Sequence, residues 1–511
     1  MKNIKIYLTS LLIFTLLFAS CDKNFDDINT NKVDFTSLDP AFILNSAILD
    51  VTSRNARNYL GQAHTIVQWL YCPFGSSLQG ANYNQWSNFH NDPFAPFFGS
   101  AVPKVVDILR KTEGDESKAN LYNAARIWKV YVFMQLTDTY GDIPYTDAGL
   151  GYLDQITKPK YDKQEDIYKD FLKELDEASE ALDPLKGRIT GEILFSGDVT
   201  RWKRFGYSLL LRTAMRLSKV APTLADQYVD KAVAGGLMQS NDDVAMIKHT
   251  LEFYNRLGEE VSGTERGNYY ATKPFVEFLK NNNDPRASAL LHRFVGANGF
   301  TQQTEDRRSK DATLQKGLPI GYNDITVSQT FAEEGVVSLH DYSQFDYNLV
   351  FSKTSPEFHL TYGQTMLLLA EAIKRGWTTG DAPAIYAEAL QADLELISEF
   401  GPAATIPEAD IAAFVAAHPL STDLETALNQ INCEYWVATF PDGQEAWANF
   451  RRSGYPELAA NPYPGSEIPG EFIRRHKYPE REFITNKENV EAAITNQGPD
   501  VMNGRVWWDI E

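Results

Sequence analysis

Apolar residues in this chain recur every three to four positions, and that spacing limits what the chain can fold into. Between residues 162 and 182, Ile167, Phe171, Leu175, Ala178 and Leu182 share one helical face. Asp162 and Glu165 predict a capping-box-like start there, and Pro184 and Gly187 predict the stop. A second run carries Tyr386, Leu390, Leu394 and Ile397. It opens after Asp381 with Pro383 in its first turn and closes near Gly401-Pro402. Segments near 40–56, 116–140, 200–219, 358–374 and 421–438 follow the same pattern. Strand-like alternation is scarce, and 346–352 is the best short candidate. Helices this numerous must bury their apolar stripes against one another.

The helices come in pairs. Arg126–Tyr140 precedes 162–182, Arg201–Lys219 precedes 223–234, and His359–Arg375 precedes 382–400. Small residues fall where such pairs would cross: Ala214, Ala225, Ala232 and Ala234 in one pair, Ala370 and Ala372 in another. Helical hairpins with alanine at close crossings suggest tetratricopeptide-like units with a loose period. The connectors are long. Residues 72–98, 241–268, 296–325 and 453–485 are rich in Gly, Asn, Pro and aromatics, and long ordered loops in a large protein tend to be functional. The predicted fold class is all-α, with irregular loops packed over helix pairs.

The amino terminus reads as a targeting segment. Lys2 and Lys5 precede an apolar run from Ile6 to Phe18, then Ala19, Ser20 and Cys21. This resembles a bacterial lipoprotein signal, in which the cysteine becomes the first residue and its thiol is acylated. One departure is Phe18 where such signals most often carry Leu; Leu17 stands one step earlier. An ordinary secreted protein is the alternative. The predicted organisation is a signal peptide over 1–20, an acidic tether over 21–38 and one helical body over 39–511. Asp27, Asn29 and Asn31 mimic a calcium loop, but Lys32 and Leu38 stand where Gly and Glu are needed, so calcium is rejected there. No later run of the chain is apolar for long enough to span a membrane. Loss of the two leader lysines takes the formal charge from −20 to −22, a balance that repels nucleic acid. Beyond Cys21, only Cys72 and Cys433 remain, as two free thiols or one disulfide.

Catalytic signatures are missing: no G-x-S-x-G, no H-E-x-x-H, no phosphate-binding glycine loop and no paired C-x-x-C. The 8 histidines lack helical metal-ligand spacing, so neither a metal nor a cofactor is expected. The segment with a binding argument is 69–98. It holds Trp69, Tyr71, Phe74, Tyr83, Trp86, Phe89, Phe94, Phe97 and Phe98, interleaved with Asn82, Asn84, Gln85, Asn88 and Asn91. Flat apolar rings beside amide donors and acceptors suit a sugar ring or an extended peptide. The same rings could instead pin a long loop to the helices. Tyr140-Gly-Asp-Ile-Pro-Tyr145 reads as a structural corner, Arg451-Arg452 as partners of buried carboxylates, and Trp507-Trp508 as a docked terminus.

Taken together, Phe25–Asn31, Asp39–Asn45, Tyr140–Tyr145, Trp202–Leu209, Arg212–Leu217, Asn283–Arg286, Glu445–Pro456 and Val506–Asp509 resemble the SusD/RagB family, in its SusD-like branch, of nutrient-binding outer-membrane lipoproteins of Bacteroidetes. The resemblance implies four tetratricopeptide-like helix pairs with loops over one side. It implies attachment to the outer membrane through a lipid on Cys21, facing the cell exterior. Asp22, Asp26 and Asp27 fit the export signal of such lipoproteins. It also implies a SusC-type TonB-dependent transporter as partner and delivery of an oligosaccharide to it. An oligopeptide ligand, or a structural lid with no ligand site of its own, is the alternative; a surface glycosidase is disfavoured by the missing motifs. No fixed site motif transfers from the family. The ligand-binding candidates are therefore Trp69, Tyr71, Phe74, Tyr83, Trp86 and Phe89 of the aromatic segment.

Overall fold

Asp198 opens a helix by accepting hydrogen bonds from the Thr200 and Arg201 amides, and the same device recurs down the chain. Asp381, Asp423 and Asp442 each cap a helix with a side-chain oxygen, and Thr361 with Gln364 forms a full capping box. The computed structural model describes residues 39–52, 56–75, 80, 82–83, 90–263 and 265–511. Cys21 and the whole of the predicted signal peptide and tether, residues 1–38, lie outside the described residues, as do Trp86 and Phe89.

The principal helices are α1 (Pro40–Thr52), α2 (Val102–Thr112), α3 (Ala119–Tyr140), α4 (Gln164–Ala181), α5 (Val199–Arg216), α6 (Pro222–Gly235), α7 (Tyr362–Lys374), α8 (Ala382–Leu396), α9 (Leu424–Ala438), α10 (Gly443–Ser453) and α11 (Lys487–Gln497). The predicted pairs α3/α4, α5/α6 and α7/α8 pack as hairpins, and α9/α10 adds a fourth. Helix α5 joins the pairs by packing on α4 and on α7. Ala214, Ala225, Ala232, Ala370 and Ala372 are buried where helices meet, whereas Ala234 is exposed. The closest approach uses glycine. A Cβ on Gly206 of α5 would stand 2.1 Å from Ser179 Oγ of α4 and 2.8 Å from Ile127 Cδ1 of α3.

Strands are short: β1 (Leu70–Tyr71), β2 (Ile143–Pro144), β3 (Tyr161–Asp162), β4 (Ala245–Ile247), β5 (Tyr270–Ala271), β6 (Leu291–Phe294), β7 (Arg308–Ser309), β8 (Gln344–Phe345) and β9 (Glu357–Leu360). All pairings are antiparallel: β1 with β5, β2 with β3, β4 with β9, and β6 with both β7 and β8.

Three local expectations are corrected. Residues 346–352 form turns rather than a strand, because Asp346 Oδ1 accepts from the Asn348 amide and from the Arg308 guanidinium and folds the chain back. Residues 357–360 are strand β9, and the helix expected from 358 starts at Tyr362. Asp162 does not cap α4. Its carboxylate accepts from the Tyr145 and Thr146 amides at 3.1 and 2.7 Å, and Asp142 Oδ1 receives the Gln164 amide at 2.9 Å instead.

The sequence motifs are mostly buried ion networks. Arg286 fans onto Asp284, Asp393 (2.8 Å) and Glu434 (2.6 Å). Arg452 grips Glu371 at 2.7 and 2.8 Å. Trp508 is fully buried and donates its indole N–H to Asp138 at 3.0 Å, which docks the carboxyl terminus. Cys72 and Cys433 are free thiols.

Candidate functional site

Three of the candidate rings are core rather than surface. Trp69 is 0% exposed and stands edge-on to Phe440 at 5.3 Å. Tyr71 lies in β1, and its hydroxyl donates to Asn82 Oδ1 or to the Tyr322 carbonyl oxygen, 2.8 Å away. Tyr83 is buried against Phe472 with its backbone at φ +57°, a left-handed position for a non-glycine residue. Burial leaves none of these rings a free face for a ligand, so the expectation for them is corrected. A high ring density serves the core as well as it serves a platform, and spacing alone does not separate the two. Phe74 keeps a half-exposed ring; Trp86 and Phe89 lie outside the described residues.

The buried rings build a frame on which the remaining candidates are mounted. Tyr71 and Tyr270 share a small apolar cluster with Leu318, Val327, Val336, Leu339 and Tyr342, on which Phe74, Tyr322 and Phe331 rest half-buried. The Asp324 amide donates to the Pro73 carbonyl at 3.2 Å, tying 316–331 to the start of the aromatic segment. Gly321 (φ +93°) lies against Pro462; a Cβ there would meet Pro462 Cγ at 2.7 Å. Asn82 is fully buried and accepts from Asn461 Nδ2 at 3.2 Å. The Tyr83 carbonyl receives the Glu467 amide at 3.3 Å, and the His90 carbonyl receives the Tyr140 hydroxyl at 2.7 Å. Asn82-Tyr83 and His90, the described residues on either side of 84–89, are thus both anchored to the body.

The segments that meet Asn82-Tyr83 carry half-buried rings at Phe74, Tyr322 and Tyr463 and an exposed Ile325. Tyr322 and Tyr463 were not among the candidates. Their signal was present in the long aromatic linkers 296–325 and 453–485. What the sequence lacked was the pairing of those linkers with the 69–98 segment.

A second cluster has the shifted acidities of a reaction centre but not the space. Burial pushes the Asp138 and Asp442 carboxyls up. Burial alone would raise Glu445 as well, but Arg212 and Arg216 overrule it and hold that carboxyl below its ordinary value. Arg216 reaches Glu445 at 2.6 Å, and the Tyr435 hydroxyl donates to it at 2.9 Å. The two cavities beside this network measure about 20 and 10 Å³, room for a water and not for a sugar. Its geometry is that of a buried ion network holding α3, α5, α9 and α10 together. The Tyr140–Tyr145 corner is likewise structural: Gly141 ends α3 at φ +82°, and the Tyr145 hydroxyl donates to Asp170 at 2.5 Å. Among the described residues no three His, Cys, Asp or Glu side chains are grouped to hold a metal ion, and no helix is long and apolar enough to cross a membrane.

A SusD-like family model, described as starch-binding and associating with the outer membrane, matches residues 31–479. No curated protein matches. Among solved structures, one described as a chitin-binding protein is 28% identical with a TM-score of 0.82, covering 93% of this chain and 100% of its own. A SusD-like protein of Bacteroidetes AC2a is 28% identical with a TM-score of 0.79, over 93% of this chain and 100% of that one. A chitin-binding SusD homolog from Flavobacterium johnsoniae has the same fold at 23% identity, TM-score 0.75, over 92% of this chain and 100% of its own.

Proposed function

This chain belongs to the SusD-like family, and from that membership we propose that it is a surface receptor that binds neutral oligosaccharides and hands them to a SusC-type TonB-dependent transporter. The family is associated with the outer membrane. The lipid on Cys21 that would hold it there, and its outward orientation, are part of the proposal; they rest on the Ala-Ser-Cys context of the leader.

The observation that carries the reading is the meeting of 70–75 and 82–83 with segments 316–331 and 461–468. Half-buried rings at Phe74, Tyr322 and Tyr463 lie in the segments that meet Asn82-Tyr83. Such rings stack on the C–H faces of sugars, while nearby amides meet the hydroxyl rim. The family description and the chitin-binding relative at 28% identity favour starch- or chitin-type glycans over peptides. A formal charge of −20 disfavours acidic glycans.

Calorimetry with chitohexaose and maltohexaose tests the proposal. Binding of at least one is expected, with Trp86→Ala and Tyr322→Ala each weakening it about two- to tenfold, the loss of one stacking contact worth roughly 0.5–1.5 kcal/mol. Palmitate labelling of the wild type that disappears in Cys21→Ser reads the anchor in the same preparation. Binding of oligopeptides in place of both glycans would replace the ligand class. Co-purification with a barrel but no ligand of either kind would leave a lid.

A further inference from the structure

We propose a second carbohydrate subsite, in a cleft between the amino end of α2, the Gly149–Pro159 loop and the short helix Glu482–Thr485. The proposal rests on the reading of the chain as a glycan receptor and concerns none of the residues assigned above. The cleft measures about 300 Å³, at the lower end of small-ligand sites, which run from roughly 300 to 1,000 Å³. Its walls are apolar and flat: Phe98, Pro103, Pro144, Tyr152 and Pro159. Phe98 is the end of the aromatic segment and leans on Phe94 at 4.5 Å.

Tyr152 points the observation toward a ligand. Its side chain is 96% exposed at the mouth of this cleft, on a loop that is firmly built. Gly149 (φ +76°) sits so close to α2 that a Cβ would meet Val106 Cγ2 at 2.9 Å. The Leu150 carbonyl accepts from the Asp154 and Ile156 amides at 2.8 and 3.4 Å. Asp154 pairs with Arg110 of α2 at 2.6 Å, and the Asn486 and Asn489 amides hold the Pro159 and Lys158 carbonyls at 2.9 and 3.1 Å. The backbone that carries the ring is held in place, so stacking a ligand on it has to order only the two side-chain torsions of Tyr152.

The polar rim selects the class of ligand. Glu482 Oε2 accepts from the Tyr161 hydroxyl at 2.8 Å, which fixes the carboxylate, and its Oε1 receives no hydrogen bond from any described residue. The Asn486 amide is already engaged. The rim therefore presents a carboxylate acceptor and the hydroxyls of Tyr152 and Thr157 beside flat rings, groups that can both accept from and donate to sugar hydroxyls. Hydroxyl groups on a flat apolar ring, as in a neutral hexose or N-acetylhexosamine, meet both requirements.

The test titrates the intact, detergent-solubilised protein with chitotetraose and with maltotetraose. Two equivalents per wild-type chain are expected for one of these sugars, and one equivalent for Tyr152→Ala at an unchanged melting temperature. Glu482→Gln should weaken the second equivalent three- to tenfold, and Trp86→Ala should leave it intact. Identical stoichiometry and affinity in wild type and Tyr152→Ala would overturn this subsite and leave the receptor reading standing. Loss of all binding in Tyr152→Ala, with none in Trp86→Ala, would uphold the subsite and remove the Trp86 face. No sugar binding by the wild type would overturn both. Tetraalanine binding that vanishes in Tyr152→Ala would overturn the carbohydrate class.

Discussion

Arg452 is fully buried, and its guanidinium is matched by fixed partners. Two bonds reach Glu371, and Asn432 and Asn449 supply further acceptors at 2.7 Å each. Burial alone would raise the Glu371 carboxyl, but Arg452 and Arg375 draw it down to about 2. Removing Arg452 leaves Glu371 with Arg375, at 2.8 Å, as its one remaining cation among the described residues, at a cost of about 3 kcal/mol, the lower end for a broken buried pair. Arg452→Met keeps much of the volume and should lower unfolding free energy in urea by that amount, while Arg452→Met with Glu371→Leu should recover a large part of it. Equal stability of the single variant and wild type would show that the network carries no net energy. The neighbouring Arg451 is different. It stacks on Trp447 at 3.8 Å and Trp508 at 4.8 Å, and burial lowers its pKa to about 10. The sequence shows two adjacent arginines in an acidic chain and so predicts carboxylate partners for both. Successive helix positions point about 100° apart, so the two side chains enter different environments, and only one finds a carboxylate.

At the scale of elements, the crossing of α4 and α5 at Gly206 sets how closely the first two helix pairs approach. Replacing glycine by alanine inside a helix normally gains about 1 kcal/mol in propensity. Here the new Cβ would meet Ser179 Oγ at 2.1 Å and Ile127 Cδ1 at 2.8 Å, and overpacking costs about 1–3 kcal/mol. The steric cost exceeds the propensity gain, so Gly206→Ala should lower the melting temperature. Ser179→Ala in the same chain should restore part of the loss, because the removed hydroxyl is the nearer obstacle and makes no hydrogen bond of its own. Additive effects of the two substitutions would disprove that contact. Helices such as α4, α5 and α8 were legible because a 3.6-residue stripe is written along one segment. Strand β9 was not, since Glu357–Leu360 becomes a strand only by meeting Ala245–Ile247, more than a hundred positions away in the chain. The candidate site divides the same way. The aromatic segment was visible as composition, but its split into buried Trp69, Tyr71 and Tyr83 and half-exposed Phe74 depends on Tyr270, Tyr322 and Phe472, which lie in other segments. Tyr322 and Tyr463 were hidden for the same reason.

Across the whole molecule, buried histidines and buried carboxyls pull stability in opposite directions in mild acid. Burial, helped by the charges of His249 and Arg212, lowers the His359 pKa to about 3, and burial with Lys477 lowers that of His90 to about 4. Each residue is neutral in the folded chain while the unfolded chain binds a proton near pH 6.5. The unfolded state then holds more protons, so stability is full above about pH 6.5 and falls as the pH drops toward those lowered values. At pH 5 the loss for His359 is about 2 kcal/mol, from roughly one and a half units at 1.36 kcal/mol each. Burial raises the pKa of Asp138 and Asp442, and these push the other way, since the folded chain takes up their protons first. Their effect is common to wild type and a histidine variant, so a comparison cancels it. His359→Gln removes the titrating ring next to the Tyr131 hydroxyl, 3.0 Å away, and keeps a polar group there. Between pH 7.5 and pH 5 the variant should lose about 2 kcal/mol less unfolding free energy than wild type, whatever its stability at pH 7.5. Parallel pH profiles for the two would mean that His359 is protonated in the folded protein, and that burial does not set its charge.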